Sequence, residues 1–152
     1  MYVFDMSEET IKCLGLNVSK NIYPIHYYKY LSKFPELISI EKLWQEMDRV
    51  WLDCLQKHQF KLKENFFAEF YSHPIWCLNS IFSSIDSASR QNRKALIQAI
   101  SSLQVETVVD MGGGYGVFLE MLKKECSKLK VILCEPYLDK QIESKLSKKK
   151  IL

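Results

Sequence analysis

The segment that most restricts the fold of this chain is Val108-Val109-Asp110-Met111-Gly112-Gly113-Gly114-Tyr115-Gly116. Glu106 to Met111 contains the β-branched run Thr107-Val108-Val109, which favours extended backbone. Four of the chain's five glycines follow within five positions. Beyond them, Val117 to Glu125 reads as a helix with Phe118, Leu119 and Leu122 turned inward. A strand that passes through a glycine turn straight into a helix opens a strand–helix–strand unit. The next strand is Lys130 to Glu135, built on Val131-Ile132-Leu133-Cys134. A polar helix over Asp139 to Ser147 carries Ile142 and Leu146, and Lys150-Ile151-Leu152 opens a third strand. This alternation predicts a parallel sheet wound in the right-handed sense.

Upstream of Leu103 the pattern reads as helix. Ser39 is a candidate N-cap for a helix over Ile40 to His58, with Leu43, Met47, Val50, Trp51, Cys54, Leu55 and His58 on one stripe. A second helix covers Asn65 to Tyr71 and stops before Pro74. Pro74 opens a third, with Trp76, Leu78, Ile81, Phe82 and Ile85 as its apolar positions. A fourth runs from Ser87 to Ser101, with Leu96, Ala99, Ile100 and then Leu103 expected inside. The first forty residues are less regular, with Tyr23, Tyr27, Tyr28 and Tyr30 clustered around His26. The division expected is a helical region over 1–102, covering substrate or mediating a homodimer, and a sheet-bearing region over 103–152.

Composition narrows the class. At 47% hydrophobic and 26% charged, the 152 residues are those of a globular chain. A net charge of +3 without a basic face before the last thirty positions gives no expectation of a nucleic-acid partner. Lysines 140, 145, 148, 149 and 150 make the tail basic, and a solvated helix accounts for them. Cys13, Cys54, Cys77, Cys126 and Cys134 have neither metal-knuckle nor redox-pair spacing, so reduced thiols, a cytoplasmic location and no metal are expected. No apolar run reaches the roughly 20 residues of a membrane span.

The glycine loop carries the chemistry. Glycines accept positive φ and let backbone approach a ligand, at the carboxyl edge of the sheet where open α/β folds bind ligands. A dinucleotide fingerprint starting at Gly112-x-Gly114 would need glycine at position 117, which is Val117. The chain instead has an acid and then Gly112-x-Gly114-x-Gly116. Glu135 falls 19 positions after Gly116, at the end of the next strand, where its carboxylate can accept from a ribose diol.

This pattern resembles motif I of class I S-adenosylmethionine-dependent methyltransferases: an acid, one residue, then alternating glycines. The resemblance covers about Val105 to Leu152. It implies an α/β fold in which the helical region precedes a Rossmann-like parallel sheet. It implies S-adenosylmethionine as cofactor, held by Asp110, Gly112, Gly113, Gly114, Tyr115, Gly116 and Glu135. Glu135 would take the ribose hydroxyls, Asp110 the methionyl ammonium, directly or through water, and Tyr115 would flank the cofactor. The triple glycine also resembles small-molecule O-methyltransferases with an N-terminal helical region, so a small-molecule acceptor is expected. Those enzymes usually place aspartate and leucine before proline, where this chain has Cys134-Glu135-Pro136.

The family sheet has seven strands and this chain has room for about three, so it is expected to be incomplete, to bind the cofactor weakly or not at all, and to aggregate or need a partner at its open sheet edge. A non-catalytic remnant or interaction module is the alternative; a nicotinamide oxidoreductase fits less well because of Val117. No catalytic residue is assigned. His58 lies on an apolar stripe, His73 precedes Pro74 and is the better pocket residue, and Arg90 and Arg93 read as solvent-facing charges within reach of a carboxylate.

Overall fold

The computed structural model describes residues 10–20 and 23–148. Within them the chain is a mixed α/β structure with seven helices and two small sheets, one antiparallel and one parallel.

The first sheet departs from the all-helical expectation for the region before Leu103. Strands β1 (Thr10–Cys13) and β2 (Leu16–Ser19) pair antiparallel, Thr10 opposite Ser19 and Cys13 opposite Leu16. Leu14 and Gly15 make the turn, both with positive φ (51° and 77°), the backbone twist that suits two-residue hairpins. Leucine at the first of these positions hid the turn, because asparagine or glycine is its usual signal. The turn is tied down by Leu14 N–H donating to Phe34 O at 2.7 Å and Gly15 N–H to Pro35 O at 2.8 Å.

Five helices follow: α1 (Ile25–Leu31), α2 (Ile40–Lys57), α3 (Glu64–Tyr71), α4 (Ile75–Ile85) and α5 (Ser87–Ser102). Ser39 caps α2 by accepting from Lys42 N, and Asp86 caps α5 by accepting from Ser89 N at 2.7 Å, each satisfying an amide the helix leaves open. The α2 stripe buries Leu43, Val50 and Cys54, with Met47, Trp51, Leu55 and His58 half-buried. Trp51 stands edge-on to both Phe66 and Phe70 of α3, 4.7 and 4.9 Å between centroids. The Tyr27, Tyr28 and Tyr30 side chains are buried, while His26 is exposed.

The expected inner face of α5 is corrected. Ile97 is its buried residue, and Leu96 and Leu103 are 50% and 59% exposed. The helix packs between α4 and α6 (Val117–Glu125), so the stripe that meets neighbours is Arg93, Ile97 and Ile100, rotated by one residue from the expected one.

After α5 the chain enters β3 (Thr107–Met111), α6, β4 (Lys130–Cys134) and α7 (Lys140–Lys148). β3 and β4 are parallel, in register from Thr107 opposite Lys130 to Met111 opposite Cys134. Leu119 and Leu122 of α6, Val131 and Leu133 of β4, and Ile142 and Leu146 of α7 join the buried cluster. The other face of β3 is open, with Val109 50% and Met111 77% exposed. The third strand expected at Lys150-Ile151-Leu152 lies outside the described residues.

Candidate functional site

The parallel register sets the carboxyl ends of β3 and β4 side by side, so the loops that leave them share one edge. Gly112 N–H donates to Cys134 O at 2.8 Å, which staples the two loops where they leave the sheet. Gly112, Gly114 and Gly116 have φ of 72°, 55° and 70°, in the left-handed region where other residues are strained by roughly 1–2 kcal/mol. Gly116 N–H then bonds to Gly113 O at 3.1 Å, and Gly116 becomes the N-cap of α6.

Gly113 is needed for a different reason. A Cβ there would overlap the Asp110 carboxylate and come within 2.7 Å of Leu133 Cδ1. The absent side chain is the space into which Asp110 fits. Glu135, the residue after β4, reaches back over the loop: Oε2 accepts from Gly114 N–H at 3.2 Å and Oε1 from Tyr137 N–H at 3.4 Å. Burial, and next the charge of Glu135, raise the Asp110 carboxyl above its ordinary range. Two carboxylates thus sit close enough to repel, a state that a cationic or multiply hydrogen-bond-donating occupant relieves.

Asp110, Gly112, Gly113, Gly114, Tyr115 and Glu135 all line a single cavity of about 850 Å³, within the range of about 300–1,000 Å³ typical of small-molecule sites. Gly116 is buried as the helix cap and is not part of the lining. The Tyr115 ring does more than flank the cavity. It stands edge-on to Tyr23 at 5.9 Å, and burial pushes its hydroxyl pKa strongly upward. It ties the glycine loop to the N-terminal helical region.

The far wall comes from that region, and the sequence reading missed it. Tyr71, at the end of α3, stacks on Tyr137 with centroids 5.5 Å apart and lies 5.2 Å from Trp76. Asn79, Ser80 and Ser83 of α4, with Asn92, Arg93 and Leu96 of α5, complete the lining. A signal existed: Asn79, Ser80 and Ser83 form a polar stripe at helical spacing on a largely apolar helix. Arg93 is corrected from a solvent-facing charge to a half-buried one, donating from Nη2 to Ser83 Oγ at 2.8 Å and from Nη1 to Ser83 O. Arg90 is exposed.

The histidines stand elsewhere. His73 does not line the cavity: its Nδ1 accepts from Ile75 N–H at 3.0 Å, capping the turn into α4, and burial lowers its pKa. His58 Nε2 meets Glu69 at 3.0 Å on the α2–α3 surface. Among the described residues, no group of three or more His, Cys, Asp or Glu side chains is placed to hold a metal ion, and no helix is long and apolar enough to cross a membrane.

No family model matches the chain, and no curated protein and no solved structure shows significant similarity to it.

Proposed function

We propose that the cavity is an S-adenosylmethionine site and that the chain serves methyl transfer to a small-molecule acceptor, on a Rossmann-like α/β framework. The observation that carries this reading is how the loop amides are used. Gly112, Gly114 and Gly116 N–H are each bonded within the protein, to Cys134 O, the Glu135 carboxylate and Gly113 O. A loop that binds pyrophosphate needs such amides turned toward the ligand. Here those three amides are spent on the loop's own architecture, and the lining presents Asp110 and Glu135. Val117 in place of the third glycine of the dinucleotide pattern supports the same preference.

The residues present fit the cofactor's chemistry. When bound, S-adenosylmethionine supplies an electrophilic methyl group on a sulfonium. Asp110 would hold the methionyl ammonium, and its desolvated charge is stabilised by a cation nearby. Glu135 would accept from the ribose hydroxyls, releasing Gly114 N–H or sharing its two oxygens. The glycines keep the loop free of side chains so that the ligand lies against backbone. The α4–α5 wall would hold the acceptor in line, since positioning is the largest contribution a protein makes to such a transfer. The acceptor's proton leaves to solvent; no histidine lines the cavity.

The test is binding of S-adenosylhomocysteine against NAD, followed by thermal shift. A rise in Tm with the former alone supports the reading. A rise with NAD alone, or with neither, overturns it.

A further inference from the structure

Resting on the methyl-transfer reading of the same cavity, we infer that its α4–α5 wall selects an aromatic carboxylate as acceptor, with Arg93 as the residue that recognises the carboxylate. Arg93 is a half-buried guanidinium lining the cavity. Its bonds run to Ser83, a neutral partner, and among the described residues it makes no ion pair within 4 Å. Asp86, whose charge acts on it, accepts from Ser89 N–H in the first turn of α5. A desolvated cation without a paired anion is costly, and proteins ordinarily place one against a carboxylate or phosphate. The bonds to Ser83 occupy part of a five-donor fork and fix its plane, leaving donors for a bidentate acceptor.

The rest of the wall states what else the ligand carries. Tyr71, stacked on Tyr137 and tilted against Trp76, makes with them an aromatic surface on the same cavity. Trp76 is locked there by its Nε1–H bond to Phe70 O at 3.0 Å. Such a surface takes a flat ring by offset stacking. Asn79 and Ser80, one turn along α4 from Trp76, supply neutral hydrogen-bonding groups between ring and guanidinium. The two carboxylates on the opposite wall, Asp110 and Glu135, would repel an anion, so the acceptor's carboxylate is directed to the Arg93 side and its reactive atom toward the cofactor.

Calorimetric titration of the full chain tests this, with 4-hydroxycinnamate, salicylate and indole-3-acetate each compared with its primary amide. At least one acid is expected to bind about tenfold or more tightly than its amide. Arg93→Gln should bring that ratio near one, and Arg93→Lys should leave an intermediate ratio. Both variants should retain the wild-type affinity for S-adenosylhomocysteine. The inference is overturned if no acid binds, if acids and amides bind alike in the wild type, or if Arg93→Gln preserves the preference. Weakened S-adenosylhomocysteine binding in Arg93→Gln would also overturn it, by assigning the guanidinium to the cofactor's own carboxylate. The acid-to-amide ratio in the wild type needs no variant to fold. If an acid binds and S-adenosylhomocysteine does not, the methyl-transfer reading fails and the carboxylate subsite stands; the reverse pattern fails the subsite alone.

Discussion

Asp110 carries opposite demands from stability and binding. Its carboxyl is raised by burial and by Glu135, so the ionised form is disfavoured in the folded chain relative to the unfolded one. That cost is fully present above its folded value and fades as pH falls toward the ordinary 3.8. Asp110→Asn should therefore raise Tm at neutral pH, with a gain that shrinks on acidification, while weakening S-adenosylhomocysteine binding. Paired melting curves and titrations across pH check both halves. His73 works in the other direction. Burial lowers its pKa, and its Nδ1 must stay unprotonated to accept from Ile75 N–H. The folded chain then binds fewer protons than the unfolded one, so stability falls as pH drops from about 6.5 through the lower folded value. His73→Asn keeps an acceptor for the same amide without the titration, and its Tm should fall less than the wild type's between about pH 7 and 5.

Within the glycine loop, neighbouring positions do separable work. Gly112 has positive φ and open space around its missing Cβ, so Gly112→Ala should cost about 1–2 kcal/mol of stability and leave Asp110 in place. Gly113→Ala forces the new methyl into the Asp110 carboxylate and Leu133, so it should abolish ligand binding as well as lower Tm. Equal effects of the two on binding would contradict this division, and calorimetry on both variants decides it. The β3–α6–β4 unit was legible because a β-branched run, a glycine cluster and a helical stripe each announce a different backbone. Six of the seven expected cofactor residues line the same cavity for that reason, and Gly116 is buried as the helix cap. Elsewhere local pattern was a poor guide. Leu14 occupies a left-handed turn position normally marked by asparagine or glycine, so the β1–β2 hairpin went unread. Leu96 is apolar because it lines the cavity, which pulled the expected inner face of α5 away from Ile97. The place of Arg93 depends on Ser83, on a different helix, a contact no periodicity encodes.

At the level of the molecule, the helical region and the parallel pair meet through the cavity and through Tyr115. The loop's tyrosine packs edge-on to Tyr23. Tyr115→Ala should thus lower the Tm of the whole chain by removing a large, half-buried side chain, at a cost below the roughly 3–5 kcal/mol of truncating a fully buried aromatic. The exposed side of β3, with Val109 and Met111, is an apolar face beside an edge that pairs with no further strand among the described residues. It should drive concentration-dependent self-association, reduced in Met111→Lys and visible by light scattering. The central proposal is that the cavity holds S-adenosylmethionine. Isothermal titration of the chain with S-adenosylhomocysteine, repeated with Glu135→Gln and with NAD as ligand, tests it most directly. The prediction is single-site saturation by S-adenosylhomocysteine, weakened about tenfold or more by Glu135→Gln, and no binding of NAD. Absent binding of S-adenosylhomocysteine, equal binding of NAD, or an affinity indifferent to Glu135 would contradict it.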